Sequence, residues 1–421
     1  MTAPRLLVVT VDAPHKSRGA GLVLFWHYLD GVRRAGWHVR HIAIGTAAAA
    51  GSEFALSIAE PGVFEVEAFE ASAPIRESLR GLSIDRRAIA PALARARAFV
   101  PDVILAFDIH AAWAFEEVES PARVVWAGDL MFDVTRYHAL YAAREDWRRW
   151  PHSMLRLIVA RNWLPVYRRV LGAASFVVAS SISSVAKLAK LGVSSEFQPY
   201  PWPDPGRVSR LRPPAKPTFV FFGNLSALGS RSALHFALDE VVPRLRRIWG
   251  AGGFELRFAG TGKLPGWAQS AFARAPEAKS YGFVDDLSGF VAQSHGVIAP
   301  IDVPVGNRTR ILTALAYCVP VIAHRNAALG NPSLVDGETC FLAANPKDFV
   351  ERMAICVADP ERAARIAEGG RRAYERDYAP ESVWPLLNAT LERFKPAEPA
   401  GRAALSIGAI SGSAPSDKDR R

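Results

Sequence analysis

The stretch 281–346 restricts the fold of this chain more than any other part. Its run 296–300, GVIAP, is short, apolar and closed by proline, the pattern of a buried strand. A loop at 301–307 follows, then a helical pattern with Ile311, Leu312 and Leu315 on one face, then a second buried run at 319–323. Strand, loop, helix and strand make one crossover of a parallel sheet. Gly306 and Asn307 stand at the start of that helix, with Arg308 and Arg310 in its first turn. Unpaired amides and the positive end of the helix dipole meet there, so arginines are disfavoured and anions favoured. Two guanidiniums at such a place either fork onto a phosphate or are solvated surface groups. Residue type alone leaves both readings open.

The same organisation opens the chain. A buried run at 5–11 leads into the loop 12–21, which contains Gly19-Ala20-Gly21, then a helix over 22–35 and a strand over 38–44. The Gly-x-Gly is a ligand loop or a plain turn into a helix. Further strands are expected at 103–107, 123–127 and 176–179. Ligands of parallel sheets bind outside the carboxyl ends of strands, which brings Asp108, His110 and Asp129 towards one cleft. Ser180-Ser181 suits a cap for a helix over 182–191. Residues 199–217 carry seven prolines and no periodicity, as an interdomain linker does. Strands at 218–222 and 256–259 begin a second doubly wound domain, and helices over 360–374 and 381–394 close it. The predicted class is α/β, with two Rossmann-like doubly wound parallel-sheet domains. The predicted divisions are 1–198, a linker at 199–217, a second domain at 218–375, a C-terminal helix at 376–395 and a disordered tail at 396–421.

At 421 residues the chain exceeds what one core holds. No apolar run is long enough to span a bilayer, and PRLLVVTVDA reads as a strand rather than a signal peptide. Cys318, Cys340 and Cys356 make no disulfide framework, which fits a reducing cytoplasm, and neither they nor the histidines show zinc spacing. The formal net charge of +10 suits anionic partners, but no nucleic-acid-binding motif is present. Much of the excess lies at 144–169, REDWRRWPHSMLRLIVARNWLPVYRR. This stretch holds seven arginines against Glu145 and Asp146, with Trp147, Trp150, Trp163 and Tyr167 among aliphatic residues. It reads as an interfacial helix on an anionic membrane, or as a helix packing its aromatics into its own domain. Pro151 and Pro165 are expected to interrupt it.

In order along the chain, Gly282-Phe283-Val284-Asp285-Asp286, Pro300, Gly306, Arg308-Thr309-Arg310, Ala314-Leu315-Ala316, Val319-Pro320-Val321-Ile322 and Asp336-Gly337-Glu338 form an ordered series. The series resembles the donor half of the GT-B glycosyltransferases, especially glycosyltransferase family 4. The resemblance extends upstream to 221–248 and 254–265 and covers most of residues 1–395. It implies two domains facing across a cleft, the C-terminal one holding a nucleotide-sugar donor and the N-terminal one a glycan or lipid-linked acceptor. It also implies retention of configuration, with neither metal nor cofactor. The family's two acidic residues eight apart are Val305 and Thr313 here, and two of its glycines are Cys318 and Cys340.

A departing nucleoside diphosphate needs positive charge at its β-phosphate. The candidates are Gly306, Asn307, Arg308 and Arg310, with Arg231 after Phe221-Phe222-Gly223 and Lys263 after Gly260-Thr261-Gly262. Thr313 and Gly260 are placed at the ribose or nucleotide, and Gly19 and Gly21 at the acceptor side. Asp129 lies where the family often has a sugar-facing histidine, and it suits either a base or a sugar-hydroxyl ligand. His110 is the second catalytic candidate, ahead of Asp12 and Asp133. Two rival functions use the same fold: an inactive scaffold or partner subunit, and a nucleotide-sugar 2-epimerase.

Overall fold

The computed structural model describes residues 3–16, 20–45, 64–68, 75–209, 214–305 and 307–396. The expected tail, Gly19 and Gly306 lie outside them. The first sheet contains β1 (Arg5–Thr10), β2 (His38–Ala43) and β3 (Phe64–Ala68), while β4 (Ile75–Ser78) and β5 (Gly81–Ile84) form a separate hairpin. It continues with β6 (Val103–Phe107), β7 (Ala122–Ala127), β8 (Phe176–Ala179) and β9 (Glu196–Phe197). The spatial order is β3-β2-β1-β6-β7-β8-β9, and all pairs are parallel. The second sheet contains β10 (Thr218–Phe222), β11 (Glu255–Ala259), β12 (Ala278–Gly282), β13 (Gly296–Ala299), β14 (Val321–His324) and β15 (Phe341–Ala343). Its order is β12-β11-β10-β13-β14-β15, again parallel throughout. Central strands such as VILAF and TFVFF are buried along their whole length. Such runs survive only with helices covering both faces of the sheet.

The proline-rich connection is not a free tether. Tyr200 is fully buried, and Trp202 donates its backbone N–H to Tyr378 at 2.8 Å while its carbonyl accepts from Tyr374 Oη at 2.8 Å. Asp204 takes a bidentate contact from Arg371 at 2.8 and 2.6 Å, which raises the pKa of that guanidinium. Val208 N–H reaches Tyr317 carbonyl at 3.0 Å.

The helix Trp150–Gly172 is continuous, against the expected interruption. Pro151 sits in its first turn, where the missing N–H has no intrahelical partner to lose. Pro165 is internal, and the helix runs on because Val159, Trp163, Val166, Tyr167 and Val170 bury one face around it.

The last helix, Pro380–Glu392, lies against the helix Ala20–Arg34 of the first domain. Gln198 Nε2 donates to Thr390 Oγ1 at 2.8 Å, and Arg34 pairs with Glu381 at 3.2 Å. Gly31 makes the contact close: a Cβ there would stand 2.5 Å from Trp384 Cγ and 2.6 Å from its Cβ. Trp384 Cβ is fixed to the backbone, so rotation of the ring does not relieve the overlap. Gly31→Ala therefore loses about 1–3 kcal/mol to overpacking, outweighing its gain of about 1 kcal/mol in helix propensity. Thermal denaturation should show a lowered midpoint, and hydrogen exchange should quicken across residues 380–392.

Candidate functional site

Strand order reverses at β10, whose neighbours are β11 and β13, so the loops after β10 and β13 part there and leave a crevice. The corresponding reversal in the first sheet lies at β1 and β6. A cleft of about 780 Å³ occupies this ground. Its lining includes Asn307, Arg308, Arg310 and Thr313, with Asp129 from the first domain. Gly260 and Gly223 shape one wall. A Cβ on Gly260 would fall 1.7 Å from the Gly223 carbonyl oxygen, so two loops cross backbone to backbone. Gly260 has φ 143° and Gly223 φ 129°, conformations that glycine alone adopts freely.

The helix Thr309–Ala316 begins as expected, with Arg308 just before its first turn and Arg310 within it. Both side chains turn inward. Arg308 is 6% exposed, and its Nη2 donates to the Val303 carbonyl. Arg310 donates Nη2 to Ser230 Oγ at 2.9 Å and lies over the Phe221 ring, 4.3 Å from its centroid. Arg308 Nε and Arg310 Nη1 are buried without a hydrogen-bond partner among the described residues. Burial, then the neighbouring Arg308, presses the Arg310 guanidinium down to about 9, so it stays protonated at neutral pH. Burial lowers the pKa of Arg308 too, opposed by Asp129, Tyr200 and Asp302. A buried and a half-buried cation with unfilled donors form a place that suits an anion. Of the two readings left open by the sequence, solvated surface arginines are excluded.

Asp129 closes the cleft from the first domain. Its Oδ1 accepts the Asn307 N–H at 3.1 Å, and Ser180 Oγ donates to Asn307 Oδ1 at 3.2 Å. Although Asp129 is exposed to the cleft, desolvation by the protein around it raises its pKa, against the pull of Arg308, the Asn307 amide and Lys187. Asp133 pairs with Lys187. Asp108 lies behind Asp129; burial pushes its pKa up to about 7, opposed by the Gly128 N–H it accepts and helped by Asp129. Thr313 lines the cleft but its hydroxyl is engaged, donating to the Thr309 carbonyl at 3.1 Å and accepting from Trp202 Nε1 at 2.8 Å. Lys16 and His138 also line the cleft from the first domain. Neither carries a sequence motif; only their place at the carboxyl edge of the sheet or in the helix Met131–Glu145 signals them.

Four expected positions, His110, Arg231, Lys263 and Gly21, stand outside the cleft lining. His110 is half-buried against Trp163, with ring centroids 5.2 Å apart, and does not line the cleft. It stands in the first turn of the short helix Asp108–Ala114, which carries it towards the helix Trp150–Gly172. Arg231 is taken by Glu145, through Nε to Oε1 at 2.7 Å and Nη2 to Oε2, so it bridges the domains instead of facing the cleft. Lys263 is exposed and outside the cleft lining, because only Gly260 and Thr261 of its loop reach inward. Gly21 is an exposed residue early in the helix Ala20–Arg34, with open space where a side chain would stand.

The stretch 144–169 divides by helical phase. Trp163 and Tyr167 are buried in the first domain, whereas Trp147, Trp150, Met154, Leu155 and Ile158 are exposed, Trp147 by 78%. Arg148, Arg149 and Arg161 are exposed with them, while Arg156 pairs with Glu77 of the hairpin at 2.8 Å. No helix among the described residues is long and apolar enough to cross a membrane.

Residues 216–359 match the family model of Glycosyl transferases group 1. No curated protein matches the chain. Among solved structures, HepE of Anabaena in complex with UDP is similar at a TM-score of 0.64 and 15% identity, over 93% of this chain and 100% of that one. Sucrose-phosphate synthase from Thermosynechococcus elongatus gives 0.62 and 14%, over 93% and 98%. WaaG, a glycosyltransferase involved in lipopolysaccharide biosynthesis, gives 0.58 and 12%, over 91% and 99%. At these identities the likeness establishes a shared fold.

The Arg231–Glu145 pair has its own test. Glu145 is 7% exposed, so Arg231→Ala leaves a buried carboxylate without its cation, a loss of about 3–5 kcal/mol. The double variant Glu145→Leu with Arg231→Met should recover most of it in denaturant titrations. Single and double variants losing stability alike would mean that the pair bears no such charge burden.

Proposed function

We propose that this chain, which carries a glycosyl transferases group 1 domain in a GT-B fold, moves a sugar from a nucleotide-diphosphate donor to a cell-surface glycan or lipid-linked acceptor. The observation that carries this reading is the pair of inward-turned guanidiniums, Arg308 buried and Arg310 half-buried, beside a helix start on the floor of an interdomain cleft. The complexes of HepE with UDP and with UDP-glucose support a nucleotide sugar as the donor. The diphosphate sits against Arg308, Arg310 and the Asn307 end of the helix. As the bond from the anomeric carbon to the β-phosphate oxygen breaks, its electron pair passes to that oxygen, and the fixed positive charges stabilise it. The acceptor hydroxyl oxygen bonds to the anomeric carbon with retention of configuration. Its proton goes to the departing phosphate oxygen, while Asp129 holds a hydroxyl of the donor sugar. Two guanidiniums and a helix terminus supply enough charge for the step to run without a metal.

Because the cations have few acceptors, the ligand anion should stabilise the fold, by about 2.7 kcal/mol at a hundredfold excess over Kd. Calorimetry with a panel of nucleoside diphosphates and nucleotide sugars, in EDTA, tests the donor site. One nucleotide should saturate, and Arg308→Ala and Arg310→Ala should each weaken it at least about tenfold, or about 1.4 kcal/mol. No saturable binding by folded protein assigns the chain to a scaffold role, and free epimerised sugar nucleotide as product assigns it to epimerisation.

We further propose that the exposed tryptophan and arginine face of the stretch 144–169 rests on the anionic, cytoplasmic surface of a membrane, where a lipid-linked acceptor is presented. Each basic residue there contributes about 1 kcal/mol, so Arg148→Ser with Arg149→Ser should weaken liposome binding about 30-fold. Cosedimentation with neutral and anionic vesicles checks this; binding insensitive to vesicle charge and to these changes would count against it.

A further inference from the structure

Asp108 directly follows β6 and opens the short helix Asp108–Ala114 with φ 67°, on the left-handed side where aspartate is tolerated and glycine sits freely. Strain kept at one non-glycine residue points from the outlier to a task for its side chain. The side chain has one contact that glycine cannot make. Asp108 Oδ1 accepts the Gly128 N–H at 2.8 Å, joining the carboxyl ends of two neighbouring strands, β6 and β7. The fit is exclusive from the other side as well, since a Cβ on Gly128 would stand 2.6 Å from Asp108 Oδ1. The next residue after Gly128 is Asp129, whose Oδ1 receives the Asn307 N–H from the second domain at 3.1 Å. One carboxyl therefore anchors the turn from which the next carboxyl reaches across the cleft.

We propose that Asp108 is a positioning residue, which sets the Gly128–Asp129 turn so that Asp129 meets the Asn307 amide at the donor site. The assignment rests on the functional reading above only where turnover is measured; the geometry it describes exists in the free protein. Asp108 does not line the cleft and takes no part in bond making. Its pull is exerted through the backbone of Gly128.

Two variants separate the acceptor from the backbone strain. Asp108→Gly relieves the strain and deletes the acceptor, so the protein folds while the turn is released. Asp108→Asn keeps a carbonyl oxygen for the Gly128 N–H, tolerates the left-handed conformation and removes the charge. Hydrogen exchange read at single-residue resolution on the free full-length protein should show the Gly128 and Asn307 amides about tenfold faster in Asp108→Gly and close to wild type in Asp108→Asn. With a donor and acceptor in hand, kcat should fall about tenfold in Asp108→Gly with donor KM little changed, and recover in Asp108→Asn. Unchanged exchange at Asn307 in Asp108→Gly overturns the proposal, and so does equal acceleration in both variants, which would assign the effect to charge. The exchange result stands whether or not the protein proves to transfer sugar, so failure of the wider reading and failure of this one are distinguishable.

Discussion

Two guanidiniums at the start of one short helix, Arg308 buried and Arg310 half-buried, are the constraint to which the rest of the molecule answers. Each cation costs desolvation energy that only acceptors return, and the second domain supplies few: the Val303 carbonyl for Arg308, and Ser230 Oγ with the Phe221 ring for Arg310. The remaining compensation comes from across the cleft, where Asp129 faces Arg308 and its carboxylate holds the Asn307 amide. One carboxylate thereby serves both the contact across the cleft and the charge compensation.

Around that point the contacts between domains form a graded set. Tyr141 Oη donates to Asp302, Glu145 receives Arg231, and Tyr141, Leu228 and Val303 make a small apolar cluster of their own. All the contacts from the first domain in this set come from the helix Met131–Glu145. That helix starts two residues after Asp129, so the chain leaves the site and at once builds the seam that holds the site together.

Much of this was legible in the sequence because a buried parallel strand needs an unbroken apolar run. Thr218–Phe222 and Phe176–Ala179 are located to the residue by that rule, and Arg308 and Arg310 by the helical pattern after the loop. The exposed and buried halves of the helix Trp150–Gly172 also follow its period, with Trp150, Met154 and Ile158 on one side and Val159, Trp163 and Val170 on the other. What stayed hidden depends on partners distant in the chain. Nothing local to Arg231 marks Glu145, 86 positions earlier, as its neighbour, and nothing local to Thr313 marks Trp202. His110 fails for a related reason. A residue after a strand faces the cleft only while the chain is still a loop, and here a helix begins at Asp108.

The chain passes between its two halves at the proline-rich connection and again just before its last helix, and these passages lie side by side. Tyr200 on one and Tyr378 on the other have ring centroids 6.2 Å apart, and Trp202 is bonded to Tyr378 through the backbone. Any separation of the halves that keeps the chain intact must turn about this paired crossing, as a book turns about its spine. Points near the spine then move little, and those far from it sweep the widest arc. A rotation about that line would therefore turn a small torsion at two tyrosines into a wide displacement at the far rim.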